Sequence, residues 1–261
     1  MSFFRIIMPN YNNSKWLEKS IGSVLGQTFK DYTFVFVDDV STDDSVDKAG
    51  ELIMDDGIVF GLNEKRWNGG ARNIGLNVDA FDTKYTLFLD SDDWFYDENV
   101  LQNLHDFIVD EDYPDCVRLP FGIEYDGNKS TKVMLDDDNA EKLVNSIFVA
   151  SWSKCVKSEL VPLFPENTLM EDAVQHIKQC DMIAYPVAVF NKPVLVYNKN
   201  NSNSCSSPKN QTAQNAKWQS SMYRHMADLM DLELNHEYCI KQRDIRAKRC
   251  LDNIKNDKYI Q

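Results

Sequence analysis

An acidic turn that directly follows an apolar run is the first sign of chemistry in this chain. The apolar residues 85–89 end in Asp90-Ser91-Asp92-Asp93, and carboxylates at the end of a buried strand are the hard oxygen ligands that Mg²⁺ and Mn²⁺ prefer. A divalent ion held there can neutralise a diphosphate, so the turn indicates nucleotide-sugar chemistry. A solvated acidic turn has the same composition, and the rest of the chain must distinguish the two.

Other polar residues follow other predicted strands. In the first half of the chain, short β-rich runs alternate with helical patterns, which is typical of a parallel sheet with crossover helices. The runs lie at residues 3–8, 33–37, 58–60 and 85–89. Asn10-Tyr11-Asn12 follows the first run and Asp38-Asp39 follows the second. Because ligands bind at the carboxyl edge of such sheets, we expect these residues and the acidic turn to share one site.

Apolar stripes predict the helices between these strands, with Ser14 and Asp97 as N-caps of two of them. The stripes are Leu17, Ile21, Val24 and Leu25; Val46, Ala49 and Ile53; Ala71, Ile74 and Val78; and Leu101, Leu104 and Ile108. The second half is mixed, and Asp126-Gly127 is predicted to form a hairpin turn. Its other predicted elements are helices at 143–148, 171–180, 218–234 and 240–254, extended segments at 117–123, 132–135, 149–156, 183–190 and 193–197, and a polar loop at 198–214.

The bulk composition excludes several classes of protein. With 43% apolar and 26% charged residues among 261, the chain is not disordered. It contains no apolar run of the roughly 20 residues that span a bilayer and no basic-then-apolar leader, so we expect a soluble cytoplasmic protein. The six cysteines show no C-x-x-C spacing and are expected to be reduced thiols. The net charge of −13 opposes loose binding to nucleic acid.

Five motifs, taken together, resemble the family-2 glycosyltransferases of the GT-A fold. They are Met8-Pro9-Asn10-Tyr11-Asn12, Val37-Asp38-Asp39-Val40-Ser41-Thr42-Asp43, Gly69-Gly70-Ala71-Arg72-Asn73-Ile74-Gly75, Leu89-Asp90-Ser91-Asp92-Asp93 and Met170-Glu171-Asp172. The resemblance covers roughly the first two hundred residues, and five ordered motifs are far more specific than one. It implies an α/β fold with a mostly parallel central sheet flanked by helices, followed by a C-terminal helical appendage.

The resemblance also implies a division of the chain and an activity. We expect a catalytic domain at residues 1–200, with a nucleotide-binding half at 1–115 and an acceptor half at 116–200, followed by a mobile loop and helices at 201–261. The implied activity is an inverting, metal-dependent transfer of one sugar from a nucleoside diphosphate, with uracil as the expected base, to a hydroxyl group.

The resemblance assigns donor-binding roles to particular residues. In these assignments the backbone beside Pro9 binds the base edge, Tyr11 stacks on the base, Asp39 reads the base, Arg72 binds the diphosphate, Asp90 contacts the ribose or the metal, Asp92 ligates Mn²⁺ or Mg²⁺, and Lys199 closes over the diphosphate. Alternatives remain open for three of them: a helix N-terminal carboxylate for Asp39, a surface arginine for Arg72 and a solvated lysine for Lys199. Asp93 is expected to support the turn by hydrogen bonding.

The resemblance places the acceptor chemistry in the second half. Asp172 matches the general base of the family's Glu-Asp motif, and Glu171 is expected to orient it or to contact the acceptor. Trp152, in Trp152-Ser153-Lys154, matches an acceptor platform, although core packing explains an indole equally well. Val40 departs from the family, which has glycine there, so the turn must avoid positive φ or tolerate it.

The acceptor itself is open at this point. A glycan or a lipid-linked saccharide is the first expectation, with peripheral membrane contact as a possibility. An alternative is a hydroxymethylated pyrimidine in phage DNA, because the basic residues Lys241, Arg243, Arg246, Lys248 and Arg249 lie on a predicted helix. Nucleotidyl transfer and a non-catalytic module that binds sugar nucleotides are more distant alternatives. The sequence leaves the transferred sugar and the oligomeric state open.

Overall fold

The computed structural model describes residues 2–78, 82–125, 128–132, 149–168, 170–183, 187–202, 204, 224–225 and 227–255. The strands are β1 (Ser2–Asn10), β2 (Tyr32–Asp38), β3 (Ile58–Gly61), β4 (Thr83–Phe88), β5 (Trp94–Phe95), β6 (Cys116–Arg118), β7 (Phe121–Tyr125), β8 (Asn128–Lys132), β9 (Lys154–Lys157), β10 (Ala188–Val189) and β11 (Leu195–Asn198). The helices are α1 (Ser14–Leu25), α2 (Ser45–Ile53), α3 (Trp67–Leu76), α4 (Val100–Asp110), α5 (Glu171–Met182) and α6 (Glu237–Lys255).

The larger sheet has the order β10-β6-β9-β4-β1-β2-β3. The pairs β1 with β2, β1 with β4, β2 with β3 and β6 with β10 are parallel, whereas β9 runs antiparallel to both of its neighbours. The predicted mostly parallel central sheet is therefore confirmed. Its carboxyl edge brings the ends of β1, β2 and β4 together, as the alternation of strands and helices predicts.

The middle of this sheet is buried on both faces, which explains why β1 is apolar almost throughout. Ile6 and Met8 pack in one cluster with Leu17 and Ile21 of α1. On the opposite face α3 lies close to β1, where a Cβ added to Gly75 would come within 2.5 Å of Ile7 Cγ2. The predicted apolar stripes thus fix a helix to each face of the sheet.

The smaller sheet has the order β5-β11-β7-β8. β7 and β8 pair antiparallel with Tyr125 opposite Asn128, which leaves two residues for the connection. The predicted turn residues Asp126-Gly127 lie outside the described residues, but this pairing agrees with the predicted hairpin. The predicted strand 117–123 is two strands in different sheets, because Pro120 has no N–H to continue the ladder.

Several local predictions need correction. Ser14 is not the N-cap of α1: its backbone N–H instead donates to Asp43 Oδ2 at 3.0 Å, so the cap comes from another loop. Helix α4 begins at Val100 after Asn99, and Asp97 accepts a bond from the Asn99 N–H. The predicted strand 149–156 begins with a 3₁₀ turn at Ser151–Ser153 and becomes β9 only from Lys154.

The other predictions in the second half have mixed outcomes. The helix at 171–180 and the last helix are confirmed as α5 and α6. The extended segment 183–190 contains only the short β10, and the segment 193–197 corresponds to β11. The predicted helix at 143–148, the predicted segment at 133–135 and most of the predicted loop lie outside the described residues. No helix in the described part of the chain is long and apolar enough to cross a bilayer.

Candidate active site

A buried arginine joins the acidic turn after β4 to the acidic pair at the start of α5. Arg72 donates from Nη2 to Asp90 Oδ1 at 2.8 Å and from Nη1 to Glu171 Oε1 at 2.6 Å. Its side chain is only 4% exposed, so these ion pairs lie away from bulk solvent. Two motifs that are about 80 residues apart in sequence therefore meet through one guanidinium, whose planar fork suits two carboxylates.

Helix α3 can hold Arg72 there because the helix approaches α5 closely. A Cβ added to Gly69 would lie 2.3 Å from the Pro165 carbonyl oxygen and 3.1 Å from Glu171 Cγ. Asn73, the residue after Arg72, donates from Nδ2 to the Phe164 carbonyl at 2.9 Å and accepts from the Phe164 N–H at 2.8 Å. The Gly69-to-Asn73 segment thus ties α3 to the chain that leads into α5. The sequence analysis did not identify Asn73 as a site residue. Its position next to Arg72 in the Gly69-to-Gly75 motif is the sequence feature that could have indicated this role.

Replacing Gly69 with alanine is expected to destabilise the protein by about 1–3 kcal/mol, since backbone at Pro165 has to move. The displacement should also shift Glu171, because that residue lies on the same contact. Gly50→Ala is the matched control, as a Cβ there has nothing within 4 Å. It should stabilise α2 by about 0.5–1 kcal/mol. Urea unfolding of both variants checks this, and a Gly69→Ala variant as stable as the wild type would contradict the close contact.

Polar residues near the end of β11 hold the acidic turn from the other side. The buried Asp93 accepts a bond at Oδ1 from the Asn198 N–H at 2.8 Å, so it supports the turn as expected. Asn201 Nδ2 donates to Asp92 Oδ2 at 2.7 Å and to Asn13 Oδ1 at 3.0 Å. Asn13 in turn donates to Ser91 Oγ at 2.9 Å. We missed Asn201 because it lies in a segment that we interpreted as a polar loop.

The electrostatics of the turn suit a divalent cation. Burial and the neighbouring Asp90 raise the pKa of Asp92 to about 6, and burial raises the pKa of Asp93 well above its usual range. Buried carboxylates with raised pKa values gain when a cation offsets their charge. Among the described residues no three His, Cys, Asp or Glu side chains form a complete metal cage. Two carboxylates still fit, because Mg²⁺ is commonly bound by one or two carboxylates together with substrate phosphates.

The residues predicted to bind the base lie at the ends of β1 and β2. Pro9 is buried within β1, opposite Val37. Tyr11 is 41% exposed, and the Lys65 ammonium lies 2.8 Å from the centroid of its ring. The Asp39 carboxylate accepts hydrogen bonds from the backbone N–H groups of Arg66 at 2.6 Å and Trp67 at 2.9 Å.

Although Asp39 follows β2 in sequence, its side chain therefore lies at the N-terminus of α3. This agrees with the alternative prediction of a helix N-terminal carboxylate. Burial raises its pKa, while those two backbone bonds lower it. Each of its carboxylate oxygens can still accept a further bond, so contact between Asp39 and a base remains a prediction. Lys65 was not singled out from sequence, although any base that stacks on the same face of Tyr11 has to displace it.

The loop after β2 is ordered by Asp38. This buried carboxylate accepts bonds from Asn10 Nδ2 at 2.7 Å, from Ser41 Oγ at 2.6 Å and from the Ser41 N–H at 2.8 Å. Val40 has φ of 62°, so the turn tolerates the positive φ that a glycine would adopt more easily. The two bonds from Ser41 to Asp38 span Val40 and help to offset that strain.

The acidic pair at the start of α5 divides into a buried and a more accessible carboxylate. The Glu171 side chain is 9% exposed and bonded to Arg72, which favours an orienting role over contact with the acceptor. Burial raises the pKa of Glu171 to about 7. Asp172 is partly exposed; burial raises its pKa, and the charges of Arg72 and Lys154 lower it. Asp172 is thus the carboxylate of the pair that a ligand can reach.

Trp152 and Lys199 occupy simpler environments. The Trp152 side chain is 8% exposed, stacks on Tyr197 with ring centroids 5.6 Å apart and meets the edge of Phe121. The structure therefore places it in the core, which was its alternative interpretation, and its role as an acceptor platform remains a prediction. Lys199 has an exposed side chain, and its backbone N–H donates to the Glu124 carbonyl at 3.0 Å.

The fold and the site together define a class of protein. A mostly parallel sheet with an acidic turn at its carboxyl edge, beside a second acidic pair, has the architecture of the GT-A fold. More specifically, the chain belongs to glycosyl transferase family 2, whose family model matches residues 5–192. The fold and the family expected from the sequence are both confirmed.

Individual relatives and structures are similar to parts of this chain. The poly(ribitol-phosphate) beta-N-acetylglucosaminyltransferase TarP of Staphylococcus aureus (strain N315) is 33% identical over 153 residues, which is 56% of this chain and 45% of TarP. The crystal structure of S. aureus TarS 1-349 in complex with UDP-GlcNAc has a TM-score of 0.69 at 21% identity, covering 95% of this chain and 71% of that one.

A third similar structure is the mannosyltransferase PcManGT from Pyrobaculum calidifontis in complex with GDP-Man and Mn²⁺. It has a TM-score of 0.60 at 14% identity and covers 97% of this chain and 75% of that one. At these identities the two solved structures show the shared fold. The aligned part of this chain spans less than half of the length of TarP.

Proposed function

We propose that this protein is an inverting glycosyltransferase that moves one sugar from a nucleoside diphosphate to a hydroxyl acceptor. The observation that carries the proposal is the bridge through Arg72, which sets the acidic turn beside the Glu-Asp pair. A donor whose diphosphate lies at the turn would then extend its sugar towards Asp172. Inverting transfer needs one set of groups that neutralises the leaving diphosphate and a separate base that accepts the proton of the acceptor hydroxyl.

Asp172 is the proposed general base. In the transfer, the acceptor hydroxyl oxygen forms a bond to the anomeric carbon as the bond from that carbon to the diphosphate oxygen breaks. The electron pair of the broken bond leaves with the nucleoside diphosphate, and the hydroxyl proton moves to the Asp172 carboxylate. Glu171, held by Arg72, would fix the start of α5 and so orient Asp172.

Asp90 and Asp92 are the residues that would hold Mn²⁺ or Mg²⁺, with Asp93 supporting the turn. The chemistry that such an ion supplies is neutralisation of the diphosphate leaving group. The raised pKa of Asp92 supports this assignment, because the carboxylate lacks a compensating charge. The similar fold of the mannosyltransferase bound to GDP-Man and Mn²⁺ supports it further.

The donor is proposed to be a UDP-sugar. The fold shared with TarS, whose structure holds UDP-GlcNAc, supports this choice. Tyr11, Asp39 and the backbone near Pro9 would surround the base, and Lys65 would leave the Tyr11 ring as the base stacks. Arg72 and Lys199 remain proposed diphosphate contacts.

The acceptor is proposed to be a hydroxyl of a glycan or a lipid-linked saccharide, with polyol-phosphate polymers such as poly(ribitol phosphate) included. The similarity to TarP, named for that polymer, supports the wider class. The comparisons give no support to modification of DNA. On α6, moreover, Arg243 is bonded to Asp244 and to the Leu232 carbonyl rather than left as part of an open basic face.

A two-stage experiment tests the proposal. Thermal shift with UDP-GlcNAc, UDP-glucose, UDP-galactose and GDP-mannose, each with and without Mn²⁺, should show a rise in Tm for a UDP-sugar that is larger with the metal. The stabilising donor is then incubated with poly(ribitol phosphate) and with lipid-linked saccharides, and release of UDP with sugar on the acceptor is expected. Stabilisation only by the GDP-sugar would overturn the donor assignment, and nucleotide binding without transfer to any acceptor would favour a non-catalytic module.

A further inference from the structure

A buried lysine and histidine lie behind Asp172 and have no place in the mechanism above. Lys154 begins β9 and is 5% exposed, and its Nζ lies 3.2 Å from His176 Nδ1 and 3.4 Å from the Val149 carbonyl oxygen. His176 is 1% exposed. Asp172, His176 and Cys180 are spaced four residues apart in α5, so they lie in a row on one face of that helix.

Burial lowers the pKa of Lys154, whereas the neighbouring Cys180, Cys116 and Asp172 favour its charged form. A charged Lys154 can donate to His176 Nδ1 only when that nitrogen carries no proton, which requires the neutral imidazole with its proton on Nε2. In that arrangement Nε2 lies 3.6 Å from Cys180 Sγ, and the histidine holds the ammonium in position beside the row.

The charges around Arg72 show what this cation could do. Asp90, Glu171 and Asp172 are three carboxylates, and the guanidinium already gives one terminal nitrogen to Asp90 and the other to Glu171. Glu171 is buried and the other two carboxylates are partly exposed, so one guanidinium beside all three leaves negative charge without a partner cation, which is unfavourable. Lys154 interacts electrostatically with both Asp172 and Arg72. It is thus the second cation of the cluster.

We propose that Lys154 is a positioning residue which, held by His176, keeps Asp172 ionised and ready to accept the proton of the acceptor hydroxyl. This inference rests on the proposed function of Asp172 as the general base. Among the described residues, the charged or titratable groups that interact with Lys154 or Asp172 include Arg72, Asp90, Glu171, Cys116 and Cys180. The two thiols are buried, and burial raises the pKa of Cys116 to about 12, so that thiol stays neutral.

The test is the pH dependence of kcat/KM, measured with the donor and acceptor pair that reacts fastest in the experiment above. In the wild type the rate should fall as the pH drops through the raised pKa of Asp172, because the base must be unprotonated. In Lys154→Met the carboxylate loses a stabilising cation, its pKa rises, and the acid limb should move upward by about one pH unit. Activity at high pH should recover towards the wild-type value, and Lys154→Arg should restore most of the wild-type profile.

Lys157→Met is the matched control. It removes a cation from the same strand, but Lys157 is paired with Asp115 at 2.7 Å and does not belong to the cluster around Arg72. Its acid limb should not move. Should Lys154→Met fail to fold, Lys154→Gln carries the test, because it is neutral but can still donate to His176.

The outcomes separate this inference from the function on which it rests. A folded Lys154 variant with reduced activity at every pH and an unmoved acid limb would show a merely structural lysine and overturn the proposal. A wild type that transfers no sugar, or an Asp172→Asn variant with the wild-type rate, would instead overturn the proposed function. Donor affinity should stay within about threefold of wild type in the Lys154 variants, since the contacts of Lys154 with His176 and the Val149 carbonyl lie outside the acidic turn.

Discussion

Replacing Asp172 with asparagine should lower kcat for sugar transfer by about 10²- to 10⁴-fold, the usual contribution of a positioned general base. Asparagine has nearly the same shape as aspartate but cannot accept the acceptor's proton. Asp172 is partly exposed, and the hydrogen bonds that anchor the start of α5 run through Glu171 and Arg72, so the fold should survive the change. Steady-state release of UDP and sugar on the acceptor measure the effect.

Asp110→Asn is the matched control for that experiment. Asp110 is an exposed carboxylate at the end of α4, and its removal changes the net charge by the same amount. Its kcat should equal that of the wild type within error. A rate for Asp172→Asn within a few-fold of the wild type would mean that another group takes the proton, and the assignment of the base would be wrong.

Replacing Arg72 with glutamine should destabilise the protein by about 3–5 kcal/mol and abolish transfer. Its removal leaves Glu171 and Asp90 facing each other without the buried cation that compensates both, which is the costly way to break a buried ion pair. Arg72→Lys should recover part of the stability and little of the activity, because an ammonium cannot present the fork that joins the two carboxylates. Urea unfolding of the three proteins measures the difference in free energy.

The loss in Arg72→Gln should also depend on pH in a defined direction. Burial already raises the pKa of Glu171 to about 7, and loss of the guanidinium raises it further. A carboxyl whose pKa is higher in the folded state binds protons on folding, so stability should increase as the pH falls from 8 towards 6. Arg66→Gln, at a residue whose side chain is 37% exposed, is the control and should change stability by less than about 0.5 kcal/mol. Equal stability of Arg72→Gln and the wild type would contradict the bridge.

The sequence was most informative where burial imposes a simple pattern. Strands that are buried on both faces read as nearly continuous apolar runs, which is why β1, β2 and β4 could be predicted with their polar ends. Strands β5 and β10 have two residues each and leave no period to detect. The division of the segment around Pro120 between two sheets depends on distant partners, which local patterns do not specify.

The site shows the same limit. Motif order predicted that the acidic turn and the Glu-Asp pair share a cleft, but not that Arg72 would join them, since a guanidinium suits a diphosphate and a carboxylate equally well. Trp152 matched an acceptor platform by position, and only the packing of Phe121 and Tyr197 around it shows how little of the ring is exposed. Asn201 had no sequence signal, because its function depends on its distance to Asp92.

The central claim is that the two acidic motifs divide the work, with the turn at Asp92 holding the diphosphate and Asp172 taking the proton. Titration calorimetry of the stabilising UDP-sugar, with and without Mn²⁺, tests it in the wild type, Asp92→Asn and Asp172→Asn. The account predicts that Asp172→Asn keeps both the wild-type Kd and its improvement by Mn²⁺, whereas Asp92→Asn loses that improvement. Loss of the Mn²⁺ effect in Asp172→Asn, or its survival in Asp92→Asn, would contradict the account.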